Sequence, residues 1–80
     1  MEIQKRVGKN VRDVRRSAGL SQEGLVAKLE LIDQNLGVDQ GYISRLESGN
    51  HNPTLITLWR IAQALEVPLE RLVTAIDPSR

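Results

Sequence analysis

The chain has no cysteine, which excludes disulfides, thiolate metal sites and cysteine nucleophiles together. It has a single histidine, His51, too few for a histidine cluster that would hold a catalytic metal. Phenylalanine is absent and aromatics make up 2% of the residues, as Tyr42 and Trp59, so a stacking platform for single-stranded nucleic acid is not expected. No apolar run approaches the roughly 20 residues of a membrane span, and no signal-peptide pattern opens the chain; a cytoplasmic protein is expected. There is no nucleophile–base pair, phosphate-binding glycine loop or metal constellation, so neither an enzyme, a metal, a cofactor nor a small-molecule site is expected. What remains is 80 residues, 40% apolar and 26% charged, the balance of one small globular domain.

The formal net charge of +1 conceals an asymmetry. Residues 1–19 carry six cations (Lys5, Arg6, Lys9, Arg12, Arg15, Arg16) against Glu2 and Asp13, a net of +4. The rest of the chain carries five cations and eight anions, a net of −3. A basic N-terminal element therefore sits on a mildly acidic body. The asymmetry points to an anionic partner; a solvated face that keeps the domain in solution is the other reading of the same stripe.

Hydrophobic period divides the chain into five helices and no strands. Ile3, Val7, Val11, Val14 and Ala18 form one apolar stripe and Lys5, Lys9, Arg12 and Arg16 another face, with Gly19 ending the helix near Ser17 or Ala18. Ser21 is the N-cap of a second helix carrying Leu25, Leu29, Ile32 and Leu36 and running to about Asp33 or Gln34. Gly24 inside it predicts close approach of another backbone. Asp39 caps a short third helix, Gln40–Ser48, with Ile43 and Leu46 inward, Gln40, Ser44 and Arg45 outward, and Gly49 closing it. Thr54 caps a fourth with Leu55, Leu58, Ile61, Ala62 and Leu65 inward. Pro68 opens a last short helix through Leu69, Leu72 and Val73. The domain is expected over 1–74, with 75–80 as a short tail.

Leu20-Ser21-Gln22-Glu23 and Val38-Asp39-Gln40-Gly41-Tyr42-Ile43-Ser44-Arg45-Leu46-Glu47-Ser48-Gly49 together resemble the lambda-repressor/Cro-type (xenobiotic-response-element) helix-turn-helix family. Val11–Leu20 upstream, Asn52-Pro53-Thr54-Leu55 downstream, Leu58–Val67 and Leu69–Leu72 extend the similarity over about residues 3–73. The resemblance implies an all-α, five-helix lambda-repressor-like domain that binds double-stranded DNA as a small transcriptional regulator. It implies DNA contacts at Gln22, Gln40, Gly41, Ser44 and Arg45, backbone contact at Tyr42, and phosphate contact through the loop at Asn50, His51 and Asn52. It also implies a structural ion pair between Arg15 and Glu47, tying the first helix to the reader. Chemistry agrees with the roles. Glutamine pairs with adenine, arginine with guanine, and serine with either, while Gln22 opens a helix whose N–H groups suit a phosphate. Tyr42 reads equally well as a packing residue, and Trp59 as core or dimer contact.

Two departures from the family pattern stand out. About seven extra residues, around Glu30–Leu36, lengthen the connection between the two motif helices. Val26 and Leu29 occupy positions that are usually small, which predicts a wider or re-angled helix pair. Glu30, Asp33 and Asp39 place negative charge near the expected DNA face. A single domain this small contacts few base pairs, so a homodimer through the fourth and fifth helices (Trp59, Leu69, Leu72, Val73, Ile76) on a pseudo-palindrome is expected. A protein-interaction module or antitoxin-like partner that keeps the fold is the alternative reading.

Overall fold

The computed structural model describes residues 2–74; the expected tail at 75–80, and Ile76 with it, lie outside them. Among the described residues there are five helices and no strand: α1 (Glu2–Ser17), α2 (Gln22–Ile32), α3 (Gln40–Glu47), α4 (Leu55–Leu65) and α5 (Glu70–Val73). The caps fall where side-chain chemistry puts them. Ser21 Oγ accepts from the Gly24 N–H at 2.9 Å, an Asp39 carboxylate oxygen from the Tyr42 N–H at 2.7 Å, and Thr54 Oγ1 from the Thr57 N–H at 3.1 Å. Each such cap is worth about 1 kcal/mol.

α1 and α3 end in the same way. Gly19 and Gly49 take φ of +74° and +81°, the left-handed conformation that turns a chain out of a helix at least cost for glycine. The following N–H groups then reach back, Leu20 to the Arg15 carbonyl at 3.1 Å and Asn50 to the Arg45 carbonyl at 2.9 Å. α4 uses Glu66 instead, at φ +59°, a conformation that costs a non-glycine residue about 1 kcal/mol or more.

The core draws on every helix. Val11, Leu25, Ile43, Leu46, Ile61 and Leu72 are sealed from solvent, with Leu29 1% exposed. Each is worth about 1.5–3 kcal/mol of burial. The sequence-derived stripes run too far at their ends. Ile3 and Ala18 of the first stripe are exposed, as are Ile32 of the second and Leu55 of the fourth, because a helix end projects past the elements it packs on. Leu72, expected on a dimer surface, is instead fully buried: α5 is a single turn whose inward residue closes the core of its own chain.

Two contacts lock α1 in place, and neither shows as hydrophobic period. A Cβ on Gly8 would strike the Leu46 carbonyl oxygen and lie 2.9 Å from that of Glu47. Gly8 is therefore where α1 meets the backbone of α3. Gly24, expected to serve that purpose in α2, faces only its own N-terminal turn, with Ser21 Oγ 3.3 Å and Leu20 Cδ2 3.5 Å from a Cβ placed there. Asn10, 2% exposed, donates its amide to the carbonyls of Leu72 at 3.1 Å and Thr74 at 2.9 Å, holding the end of α5 to the first helix.

The whole α2–α3 connection is the seven residues 33–39: of the expected insertion around Glu30–Leu36, residues 30–32 extend α2 and residues 33–36 lengthen the loop. Asp33 organises it. Its N–H donates to the Leu29 carbonyl at 2.8 Å, its carboxylate accepts from the Asn35 N–H at 3.0 Å, and it meets Arg60 of α4 at 3.5 Å. Val38 then turns into the core before Asp39 starts α3. Leu29 joins the core and Val26 packs against it, so both larger residues are absorbed as core volume.

Candidate nucleic-acid interface

The outward face of α3 carries Gln40, Ser44 and Arg45, all exposed, with Gly41 half-buried between them. A Cβ on Gly41 would meet Arg45 Nη1 at 3.3 Å and Asp39 Oδ1 at 3.6 Å, with no other element nearby. The long Arg45 side chain therefore folds back over the glycine, one turn away, in a space that a flexible guanidinium can leave.

Behind this face lies a buried ion pair. Arg15 Nε donates to Glu47 Oε2 at 2.6 Å and Nη2 to Oε1 at 2.9 Å, the two-pronged match of guanidinium to carboxylate. Arg15 Nη1 also donates to the Leu20 carbonyl at 2.7 Å, so one side chain connects α1, the α1–α2 turn and α3. Arg12 adds Nε at 3.6 Å from Glu47 Oε1 and Nη2 donating to the Glu47 carbonyl at 3.4 Å, a cation at a helix C-terminus where the dipole favours it. The Glu47 side chain is fully buried. Burial pushes its carboxyl up, but hydrogen bonds from Arg15 and Gln22 and the charges of Arg15 and Arg12 outweigh that and hold it below the ordinary glutamate value. The hydrogen bond to Glu47 raises Arg15 against its own desolvation.

Gln22 joins that pair to the outer face. Its Nε2 donates to Glu47 Oε1 at 3.1 Å, and its Oε1 accepts from Gln40 Nε2 at 2.7 Å. Gln22 and Gln40 are thus brought into direct contact across the motif. Tyr42 and His51 meet edge to face, ring centroids 4.4 Å apart at 65°. Burial raises the Tyr42 hydroxyl, partly offset by a hydrogen bond with Thr57 and the Arg45 charge, and the ring packs on the core. Asn50 donates to Ser48 Oγ at 3.3 Å, and Asn52 is exposed farther along the loop.

The basic stripe of α1 is dispersed rather than pooled. Lys9 pairs with Asp13 at 2.9 Å and Arg12 turns toward Glu47. Lys5 packs its backbone and the base of its side chain over Gly49, its Cγ 2.7 Å from where a Cβ would stand, at the end of α3. Sequence period places Lys5 only on a face of α1; its neighbour is set by how α1 crosses α3.

No helix among the described residues is long and apolar enough to cross a membrane. The helix-turn-helix (HTH_3) family profile matches residues 11–72. The chain is 44% identical over 77 residues to an uncharacterized HTH-type transcriptional regulator, y4dJ, of Sinorhizobium fredii, covering 96% of this chain and 91% of that one. It is also similar to the crystal structure of the restriction-modification controller protein C.AhdI from Aeromonas hydrophila, with a TM-score of 0.77 at 28% identity, over 90% of this chain and 98% of that one. An HTH_3 family transcriptional regulator from Vibrio cholerae gives a TM-score of 0.76 at 25% identity, over 89% of this chain but 36% of that one. With its two motif helices, its polar third-helix face and a profile match from Val11 to Leu72, the chain belongs to the helix-turn-helix family of transcriptional regulators.

Proposed function

We propose that the protein binds specific double-stranded DNA with α3 in the major groove and regulates transcription by doing so, with no catalytic step and a cytoplasmic site of action. The observation that carries the reading is the exposed row Gln40–Ser44–Arg45 on an eight-residue helix backed by a buried ion pair. The pair fixes how α3 sits on α1, and base readout requires side chains held in register. Gln40 suits adenine, Arg45 guanine, and Ser44 either kind of edge. The backbone N–H groups at the N-terminus of α2, where Gln22 stands, and the loop at Asn50, His51 and Asn52 form the phosphate-contacting margin. Gly41 lets the helix sit close to the groove wall, and Tyr42 holds the loop to α3 as much as it faces DNA.

The protein acts as a homodimer through the outer side of α4 and α5, where Leu55 is 69% exposed, Ile56 65% and Trp59 54%, with Val73 exposed on α5. Two copies related by a twofold axis would place their α3 helices about 34 Å apart on one face of a pseudo-palindromic duplex. Selection of bound duplexes from a random pool tests the reading. It should return a half-site whose sequence changes when Gln40 or Arg45 is replaced by alanine. An unchanged half-site in both variants would show that other residues read the bases.

A further inference from the structure

The exposed amide of Gln40 has its orientation dictated from inside the protein. Glu47 is buried, and an ionised carboxylate only accepts hydrogen bonds. Its Oε1 faces Gln22 at 3.1 Å, so the end of Gln22 turned toward it has to be the NH2 group. The oxygen of Gln22 is then the end that meets Gln40, at 2.7 Å. An amide oxygen also only accepts, so Gln40 has to turn its own NH2 toward Gln22. Gln40 is left presenting its carbonyl oxygen and its second N–H, the acceptor–donor pair that matches adenine N6 and N7. The reversed amide would put donor against donor and acceptor against acceptor.

We infer that the Arg15–Glu47 pair, buried away from any ligand, is a specificity-determining element: it sets the hydrogen-bonding polarity of Gln40 through Gln22 and so biases that position of the reader toward adenine. This rests on the reading of α3 as the helix that faces the bases. Arg15 contributes by occupying both carboxylate oxygens, which fixes the carboxylate plane and leaves Oε1 directed at Gln22. Gln22 and Glu47 are positioning residues, acting on DNA through Gln40.

Gln22→Met cuts the chain while leaving the Arg15–Glu47 pair intact. In the DNA-free protein, the side-chain amide NMR signals of Gln40 should move toward those of an exposed glutamine in Gln22→Met, and also shift in Glu47→Gln, whose amide can present either end. Gln40 signals unmoved by Gln22→Met would overturn the relay. On selected duplexes, discrimination for the preferred base at the Gln40 position should fall about tenfold in Gln22→Met, and the Gln22→Met/Gln40→Ala double variant should discriminate no worse than Gln40→Ala alone. Equal weakening on every duplex, with base discrimination unchanged, would make Gln22 a phosphate ligand only and refute the relay. Wild-type protein that binds no duplex would instead remove the reading of α3, and the specificity role with it, while the DNA-free spectra still report the hydrogen-bond chain separately.

Discussion

Glu47 gathers Arg15, Gln22 and Arg12 at one buried carboxylate. It receives Arg15 twice, Gln22 once, and lies 3.6 Å from Arg12. Removing one partner of a buried pair leaves the other charge without compensation, so Arg15→Met should destabilise the fold by about 3–5 kcal/mol, read as a lower midpoint in urea. The pH dependence has a definite sign. Because the folded carboxyl is held below its unfolded value, its contribution is complete above the ordinary glutamate pKa of about 4.3 and is lost as pH falls through the folded value. Urea melts between pH 7 and pH 3 should show that acid limb, and Glu47→Gln should flatten it. Two glycines supply a contrast of sign. Gly8→Ala should lose about 1–3 kcal/mol, since its methyl meets α3 backbone that cannot yield. Gly41→Ala should gain up to about 1 kcal/mol from helix propensity, because only the Arg45 guanidinium has to move. The same methyl should weaken DNA binding if α3 lies close in the groove.

At the scale of elements, the short α5 depends on α1. Asn10 bonds both carbonyls at the end of α5, and Asn10→Ala, which strands them, should cost about 1–3 kcal/mol and raise amide exchange around Leu72 first. The helices themselves were legible in the sequence. Ser21, Asp39 and Thr54 cap where their local chemistry puts them, and Gly19 and Gly49 end α1 and α3, because caps depend on neighbours within four residues. What the sequence hid depends on residues far apart in the chain. Gly8 looks like an ordinary helix-weakening glycine until α3 is laid against it, and Asn10 looks like a polar surface residue until α5 arrives. Period alone also overextended the apolar stripes to Ile3, Ala18 and Leu55, since it registers the face of a helix but not where its partner stops. In the candidate site, the residue types of α3 were readable. The Gln22–Gln40 contact was not, because seven residues of connection separate the two helices and only their packing brings the amides to 2.7 Å.

The whole molecule is a narrow reader on a small frame. The N-terminal excess of positive charge is spread over Asp13, Glu47 and the margin near Gly49, so attraction to arbitrary DNA should be modest. In the proposed homodimer, affinity comes from two copies acting together. Trp59→Glu, on the exposed side of α4 where Trp59 is 54% exposed, should convert a sedimenting dimer to monomer at micromolar concentration and remove the concentration dependence of the melting temperature that a dimer shows. A wild-type protein that is monomeric both alone and on duplex DNA would contradict the paired reader. Whether α3 reads bases is decided by a cycle on the selected half-site, replacing Gln40 by alanine and, separately, the base pair assigned to it. The wild-type protein should lose about 1–3 kcal/mol when that base pair is changed, and Gln40→Ala should bind the original and altered duplexes equally. A penalty of the same size in both proteins would mean that Gln40 does not read that base pair, and the account of α3 would fail.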